Sequence, residues 1–318
     1  MAVFITGGHG HIGSWAARYL AENGEEVILF DTNPVVPDCL EPVAGNMRFI
    51  QGSVLDFPQL SDVFRRYRDQ IDGIIHTVGV MGELVLENPH GNVNLNIAGT
   101  HNVLEIARQF EIPKVVYTST GAVYGEVSGI IAEDAAPVNP SDLYGATKAS
   151  CEFLGRQYAQ TFGFDFRIAR VYFCYGAGKL PSRFIRLYRL AFGALEGLSG
   201  LEMDRGADQQ LDFVYVEDAG RGTALLYQAD DPPHRIYNIA TGVPTTVGRI
   251  AELAQHYSPF DVVVTLGQGA LMKRCEALDI TRAREELGFE PRYDVEAGIR
   301  KYAAWMQAQG FQPSSPPS

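Results

Sequence analysis

The stretch FITGGHGHIG, from Phe4 to Gly13, places four glycines within seven positions directly after an apolar run. Glycine has no side chain and reaches backbone conformations that other residues avoid, so this spacing predicts a sharp turn. A helical pattern begins near His11. A buried strand followed by a glycine turn and a helix is typical of the first unit of a parallel α/β sheet.

The residues up to about Tyr172 repeat this alternation of short apolar runs and longer helical patterns. Near-continuous apolar runs indicate strands that are covered on both faces. The predicted strands are residues 2–6, 26–31, 47–51, 73–77, 114–119 and 166–171, and the predicted helices are residues 13–23, 59–70, 92–110 and 144–162. We therefore predict an α/β fold with a Rossmann-type, doubly wound parallel sheet.

The glycines Gly7, Gly10 and Gly13 form a G-x-x-G-x-x-G motif between the first strand and the first helix. This arrangement lets the backbone approach a pyrophosphate, with the free N–H groups of the helix start, at His11 and Ile12, facing the phosphates. Asp31 ends the second strand, 18 residues beyond Gly13, where a carboxylate can bind a ribose diol and repel a 2′-phosphate. The sequence therefore predicts a dinucleotide site that prefers NAD to NADP.

After Tyr172 the rhythm changes, and helical patterns mix with short strands and Gly/Pro turns. The later helical patterns cover residues 183–195, 247–257, 281–287 and 295–308. We predict a smaller, mixed α/β C-terminal lobe that binds substrate. The expected division is an NAD-binding Rossmann domain over residues 1–172 and a substrate-binding lobe mainly over residues 173–318, with residues from about 212 to 240 returning to the first domain.

Composition narrows the classes of partner. The formal net charge of −12 argues against binding to nucleic acid, whose phosphate backbone requires a basic surface. The four cysteines are far apart without C-x-x-C spacing, and the seven histidines form no ligand motif, so we expect no disulfide and no metal. No run of 18 apolar residues occurs, and the chain opens on a strand rather than a signal peptide. We expect a cytoplasmic protein with a small-molecule substrate and no membrane partner.

Chemistry is indicated by the stretch DLYGATKAS, in which Tyr144 and Lys148 are four residues apart and share one helix face. A nearby ammonium and a positive nicotinamide ring would lower the pKa of the phenol, which could then accept the proton of a substrate alcohol. Thr120 or Ser119, at the end of the preceding strand, would bind the same substrate oxygen. A Tyr and a Lys at this spacing also occur by chance on many helices.

Together these stretches resemble the extended short-chain dehydrogenase/reductase family, which includes the NAD-dependent epimerase/dehydratases. The resemblance rests on the glycine motif, on Tyr144-x-x-x-Lys148, and on the stretches NIAGT, TSTGAVYG, DFVYVED and DITRAREELGFEP, which occur in order over nearly the whole chain. It implies an NAD-dependent oxidoreductase or epimerase. It also implies a homodimer in which two long helices of each chain pack together.

The resemblance assigns roles to single residues. The catalytic set that it implies is Thr120, Tyr144 and Lys148. Cofactor contacts are expected at Gly7, Gly10, His11, Ile12, Gly13, Asp31, Ser53, Val54, Thr77, Val78, Gly79, Asn96, Thr118, Tyr144 and Lys148. Substrate contacts are expected at Ser119, Thr120, Tyr172, Phe173 and Leu211.

Three departures from the family pattern bear on the substrate. Gly121 and Ala122 stand where dehydratases carry an acid pair, so sugar dehydration is disfavoured. Phe173 and Leu211 stand where nucleotide-sugar enzymes keep an Asn and an Arg. Either other cations replace these contacts, the candidates being Arg183, Arg205, Lys273 and Arg274, or the substrate is not a nucleotide diphosphosugar. We favour the second interpretation.

The leading hypothesis is therefore hydride transfer between NAD and a secondary alcohol or ketone of a sugar or another small hydroxylated substrate. A nucleotide-sugar 4-epimerase, such as a UDP-sugar epimerase, is the alternative, and the residues do not separate a dehydrogenase from an epimerase. A non-catalytic NAD-sensing protein is disfavoured because Thr120, Tyr144 and Lys148 are all present.

Overall fold

The computed structural model describes residues 1–198 and 200–310. Within them the strands are β1 (Ala2–Thr6), β2 (Glu26–Asp31), β3 (Met47–Gln51), β4 (Ile71–His76), β5 (Lys114–Thr120), β6 (Ile130–Ile131), β7 (Asp165–Val171), β8 (Leu201–Met203), β9 (Gln210–Leu211), β10 (Ile236–Ile239), β11 (Thr245–Thr246), β12 (Val264–Leu266) and β13 (Ala277–Leu278). The α-helices are α1 (His11–Glu22), α2 (Phe57–Tyr67), α3 (Pro89–Gln109), α4 (Leu143–Phe162), α5 (Arg186–Phe192), α6 (Val216–Gln228), α7 (Val247–Tyr257), α8 (Thr281–Leu287) and α9 (Val295–Ala308).

Seven strands form one parallel sheet in the order β10-β7-β5-β4-β1-β2-β3. The predicted doubly wound α/β fold is confirmed. The strand order reverses next to β1, which pairs with β2 on one side and β4 on the other. Ligands of such sheets bind beyond the carboxyl ends of the strands at this reversal, because the connections there lead to opposite faces and open a crevice.

The alternation of side chains along β1 shows why the sheet is covered on both faces. Val3 and Ile5 pack in one cluster with residues of α1 and α6, whereas Ala2 and Phe4 pack in another with residues of α2, α3 and α4. All four side chains are almost fully buried. Helices on both faces explain the near-continuous apolar strands of the sequence.

The second half of the chain is smaller and mixed, and it contributes to both parts of the molecule. The short pairs β8–β12 and β9–β11 lie in it, and β6 of the first half pairs with β13. In the opposite direction, β10 joins the main sheet beside β7, and α6 packs against α1. The division at residue 172, with residues 212–240 returning to the first domain, stays a prediction.

Element ends differ from the sequence expectations where a capping residue decides them. Helix α4 begins at Leu143 because the Asp142 side chain accepts a hydrogen bond of 2.6 Å from the Gly145 N–H. Helix α3 begins early, at Pro89, and is capped by Asn88. The helix predicted over residues 183–195 is shorter, because 3₁₀ turns flank α5 on both sides.

No helix in the described part of the chain is both long enough and apolar enough to cross a bilayer.

Candidate active site

The glycine turn forms a close-packed cradle at the end of β1. Gly7 has a φ of +71°, a conformation that favours glycine, and its carbonyl accepts a hydrogen bond of 2.9 Å from the Gly10 N–H. A side-chain carbon at Gly13 would clash with the Gly7 carbonyl oxygen. Gly10 is the N-cap of α1 and provides no side-chain cap, so the first N–H groups of the helix remain available to a phosphate.

Asp31 lies at the carboxyl end of β2, beside this cradle. Its carboxylate accepts hydrogen bonds from the backbone N–H groups of His9 (3.1 Å) and Asn33 (2.9 Å), which fix its orientation. The side chain is only half-buried, so lone pairs remain for a ribose diol. Ser53 and Val54 follow β3 at the same edge of the sheet.

The segment after β4 lies against the other side of the cradle. Thr77 Oγ1 donates to the carbonyl oxygens of Thr6 (2.9 Å) and Gly7 (3.1 Å). Val78 and Gly79 follow, and a side-chain carbon at Gly79 would come within 3.0 Å of Lys148 Nζ. The absence of a side chain there leaves space directly beside the ammonium group.

Asn96 of α3 does not present a free amide to a ligand. Its Oδ1 accepts from the Val80 N–H (2.8 Å), and its Nδ2 donates to Val80 O and to Thr147 Oγ1, both at 3.0 Å. Asn96 is also almost fully buried. It therefore ties the segment after β4 to α4, and any effect on a cofactor would act through that segment.

Lys148 and Thr118 meet at the carboxyl end of β5. Lys148 Nζ donates to the Thr118 carbonyl oxygen at 2.9 Å and lies 4.8 Å from the centre of the Tyr117 ring. Burial lowers the pKa of Lys148 to about 8, with the nearby Cys151 and Glu152 opposing the shift. Among the described residues the buried Thr118 Oγ1 has no hydrogen-bond partner. Such an orphaned hydroxyl indicates that a ligand group completes this site.

Tyr144, at the start of α4, is placed beside Thr120 at the end of β5. Burial raises the pKa of the Tyr144 phenol above its ordinary value, and hydrogen bonding with Thr120 partly offsets this. The sequence had suggested the opposite direction, through the Lys148 ammonium. Lys148 is not among the groups that act on Tyr144, so in the chain by itself desolvation dominates.

A cavity of about 320 Å³ joins these groups. Of the residues predicted to form the site, its wall contains Ile12, Thr77, Gly79, Thr118, Ser119, Thr120, Tyr144, Lys148, Tyr172 and Phe173. Leu211 was expected to contact substrate, but it is fully buried in the core behind Tyr172 and Tyr188 and does not line the cavity. Its place in β9, paired with β11, explains the difference.

The hydroxyl of Ser119 is held from behind by a buried ion pair. Ser119 Oγ donates to Glu152 Oε1 at 2.5 Å, and Arg170 donates to both carboxylate oxygens of Glu152, at 3.1 and 2.7 Å. All three side chains are almost fully buried. Because the Ser119 proton is directed to Glu152, the oxygen can face the cavity only as an acceptor.

Phe173 shapes the apolar part of the wall. Its φ of +33° is unusual for a residue with a bulky side chain. The ring lies 4.7 Å from the ring of Tyr172, 5.4 Å from Phe213 and 6.1 Å from Tyr188. This aromatic group retains the strained backbone and leaves no amide at a position where the family resemblance expects Asn.

The sequence had named Arg274 only as a candidate cation for a phosphate, and it did not indicate the contact of Arg274 with the start of α4. Arg274 lines the cavity and donates from Nη2 to Asp142 Oδ2 at 2.8 Å, so the ion pair joins this segment to the start of α4. Within the described residues its buried Nε has no partner. Arg274 and Met272 also line a second cavity, which contains Arg205 and Lys273. The positive charge of the stretch MKR was the available signal.

A family model for the NAD dependent epimerase/dehydratase family matches residues 3–240 of this chain. The chain belongs to this family. The resemblance to extended short-chain dehydrogenases/reductases is thereby confirmed, and the chain is an NAD-dependent enzyme that transfers hydride. A putative UDP-glucose 4-epimerase of Methanocaldococcus jannaschii is 28% identical over 314 residues, which cover 96% of this chain and 98% of the relative. A UDP-glucuronate 4-epimerase of Thermodesulfobacterium geofontis is 27% identical, with 95% and 94% covered.

Solved structures of epimerases share the fold. The UDP-glucose 4-epimerase of Thermotoga maritima, crystallised with UDP-glucose, superposes with a TM-score of 0.84 at 26% identity, over 97% of this chain and 99% of that one. The UDP-glucose 4-epimerase of Thermus thermophilus, in complex with NAD, gives 0.81 at 26% identity, over 96% and 99%. The glycine cradle, the uncapped start of α1 and the orphaned Thr118 hydroxyl fit NAD in this epimerase/dehydratase chain.

Replacing Asp31 by alanine is expected to weaken NAD binding by about one to two orders of magnitude and to narrow the preference over NADP. The loss of a charged hydrogen-bond acceptor costs roughly 1.5–3 kcal/mol, and the repulsion of a 2′-phosphate disappears with it. Titration of both cofactors measures the two affinities. Equal affinities for NAD and NADP in the unaltered protein would contradict the assignment of Asp31.

Proposed function

We propose that this enzyme oxidises a secondary alcohol with Tyr144 as the proton acceptor, Thr120 as the group that binds the reacting oxygen, and Lys148 as the cation beside them. NAD, when bound, accepts the hydride. The observation that carries the proposal is that Thr120, Tyr144 and Lys148 all line the wall of one cavity. In the reverse direction Tyr144 returns the proton to the carbonyl oxygen.

Each of the three groups has a distinct task. The Thr120 hydroxyl accepts a 3.2 Å hydrogen bond from the Ala122 N–H, which orients it toward the alcohol oxygen. The raised pKa of Tyr144 means that its phenolate, once formed, is a strong base. Lys148 places a positive charge in the same cavity wall, although its contact in the chain by itself is the Thr118 carbonyl.

For the substrate we propose a free sugar, or another small hydroxylated compound with little charge. Phe173, Tyr172 and Tyr188 make one part of the wall apolar, whereas Ser119 and Thr120 supply oxygen atoms near Tyr144. A diphosphate carries charge that must be paired or remain in water, and an aromatic wall does neither. Release of the ketone would make the enzyme a dehydrogenase, and return of the hydride to the opposite face would make it an epimerase.

A nucleotide-sugar 4-epimerase is the second candidate. Arg205, Lys273 and Arg274 line a cavity that shares Met272 and Arg274 with the first, and three cations could hold a diphosphate there. The similarity to proteins described as UDP-sugar epimerases supports the same interpretation. Dehydration remains disfavoured, because Gly121 and Ala122 provide no acid.

Calorimetry with UDP-galactose separates the two candidates. Because Phe173 replaces an amide in the cavity wall, we expect UDP-galactose to bind the NAD-bound protein more weakly by roughly 1.5–3 kcal/mol than it would with that polar contact, which is about one to two orders of magnitude. Micromolar binding would favour the second candidate. Turnover of free sugars, sugar acids and apolar alcohols, followed by NADH absorbance, tests the first.

We also propose that the enzyme is a cytoplasmic homodimer assembled through α3 and α4. Phe153 and Phe162 on α4 are 52% and 50% exposed, and Ile97 on α3 and Leu154 on α4 are half-buried. A pair of helices with such a face can bury it against the same pair in a second copy.

Replacing Phe153 by glutamate is expected to yield a monomer in light scattering, whereas the same change at Leu86, which is exposed but lies outside these helices, should not. A monomeric unaltered protein would contradict the proposal.

A further inference from the structure

Lys179 differs from Lys148 and Arg274, the cations that line the cavity, because no carboxylate among the described residues lies close enough to act on it. It follows the turn after β7, and its ammonium group lies 3.7 Å from Met81 Sδ and 4.3 Å from the centre of the Phe184 ring. Within residues 1–198 and 200–310 no carboxylate forms an ion pair with it or contributes to its electrostatics. Lys114, another half-buried lysine, has Asp72, Asp165 and Glu25 nearby.

The position of Lys179 is fixed by the protein. Its carbonyl oxygen accepts a hydrogen bond from the Tyr302 hydroxyl of α9, and the side chain lies between Met81, which lines the cavity, and Phe184. Burial lowers the pKa of Lys179, which means that the charged form is incompletely solvated. A thioether and an aromatic ring compensate such a charge only weakly.

Lys179 is also adjacent to the start of α1. A side-chain carbon at Gly178 would lie 3.7 Å from the His11 ring, and His11 Nε2 donates to the Gly176 carbonyl oxygen at 3.1 Å. Burial and the charge of Lys179 lower the pKa of His11 to about 3, so this histidine is neutral near pH 7. The positive charge at this place therefore comes from Lys179 and from the uncapped end of the helix.

We propose that Lys179 binds a phosphate oxygen at the junction of the cofactor site and the substrate cavity. The partner that we assign to this ammonium is the diphosphate of the dinucleotide, and a phosphate of the second substrate is the alternative that the test below distinguishes. A bound phosphate would form an ion pair with the Lys179 ammonium and would also accept hydrogen bonds from the free N–H groups of His11 and Ile12. The inference rests on the NAD-dependence of the family, and it requires no particular substrate.

The test is the affinity of Lys179→Met for NAD and for ADP-ribose. Both contain the diphosphate, and only NAD contains the nicotinamide. Methionine has a similar length and shape but no charge. If the diphosphate is the partner, NAD and ADP-ribose should both bind about tenfold to a hundredfold more weakly, by the same factor, because both contain it. The dependence of both affinities on salt concentration should become less steep. Lys179→Arg should recover most of the loss.

Two controls make the outcome decisive. Lys301→Met removes an ammonium that pairs with Glu217 at the surface, and it should leave NAD binding unchanged. UDP, titrated into the NAD-bound protein, tests the second source of the anion. Weaker UDP binding with unchanged cofactor binding would assign Lys179 to the substrate. If Lys179→Met alters none of these affinities, or weakens NAD but not ADP-ribose, the proposal is wrong. These are equilibrium affinities, so absence of turnover would count against the proposed reaction and not against this site.

Discussion

Replacing Tyr144 by phenylalanine is expected to lower the turnover number by about two to four orders of magnitude, with NAD affinity nearly unchanged. The substitution removes the proposed proton acceptor but retains the ring, so the packing at the start of α4 is preserved. Steady-state kinetics with the substrate found in the alcohol screen, together with an NAD titration, measure both effects. Replacing Tyr227 of α6 by phenylalanine provides the matched control. This tyrosine is also buried, and its hydroxyl donates a hydrogen bond of 2.6 Å to Asp72 of β4.

The pH dependence of the same reaction gives an independent test. In the proposed mechanism alcohol oxidation requires Tyr144 without its proton, and burial raises the pKa of this phenol. The rate of oxidation should therefore rise with pH up to the pKa of Tyr144 in the NAD complex, whereas ketone reduction should fall above it. A Tyr144→Phe variant that kept most of its activity, or the same pH profile, would show that another group accepts the proton.

Replacing Glu152 by alanine is expected to reduce the free energy of unfolding by about 3–5 kcal/mol, the largest stability effect we predict. The change leaves the Arg170 guanidinium buried without a counter-charge and frees the Ser119 hydroxyl. Urea unfolding followed by circular dichroism measures it. The exposed pair Arg108–Glu105 is the matched control, because Glu105→Ala should cost less than about 1 kcal/mol in high dielectric.

A small effect at Glu152 would mean that water reaches Arg170 when the carboxylate is removed. Replacing Glu152 by leucine and Arg170 by methionine together removes the whole ion pair. Comparison with Glu152→Ala then separates the loss of the pair from the cost of burying an unpaired Arg170. If desolvation of the unpaired ion dominates, the double variant should be more stable than Glu152→Ala.

Some parts of the site could be predicted because their chemistry is local in sequence. The cradle of Gly7, Gly10 and Gly13 and the helical spacing of Tyr144 and Lys148 require only neighbours along the chain. Asp31 is similar, since the end of a strand determines its position. The fold followed for the same reason, because apolar runs and helical periods alternate regularly up to about Tyr172.

Other parts depend on contacts between distant segments, and the sequence carried little signal for them. The Arg274–Asp142 ion pair joins residues far apart in the chain. Leu211 was expected in the cavity because a motif places it there, yet its strand pairing turns it into the core. The pKa of Tyr144 was expected to fall beside Lys148 and a nicotinamide ring, but in the chain by itself burial, a tertiary property, raises it and Lys148 does not act on it.

The left-handed backbone of Phe173 links heat resistance and selectivity to the same position. Such a conformation costs on the order of 1–3 kcal/mol for a bulky residue, and Asn or Gly would adopt it at lower cost. A population of variants selected only for survival at high temperature should therefore drift toward Asn or Gly at position 173. The same substitution would remove the Phe173 ring from the cavity wall. Variants with greater thermal stability should therefore discriminate less between substrates.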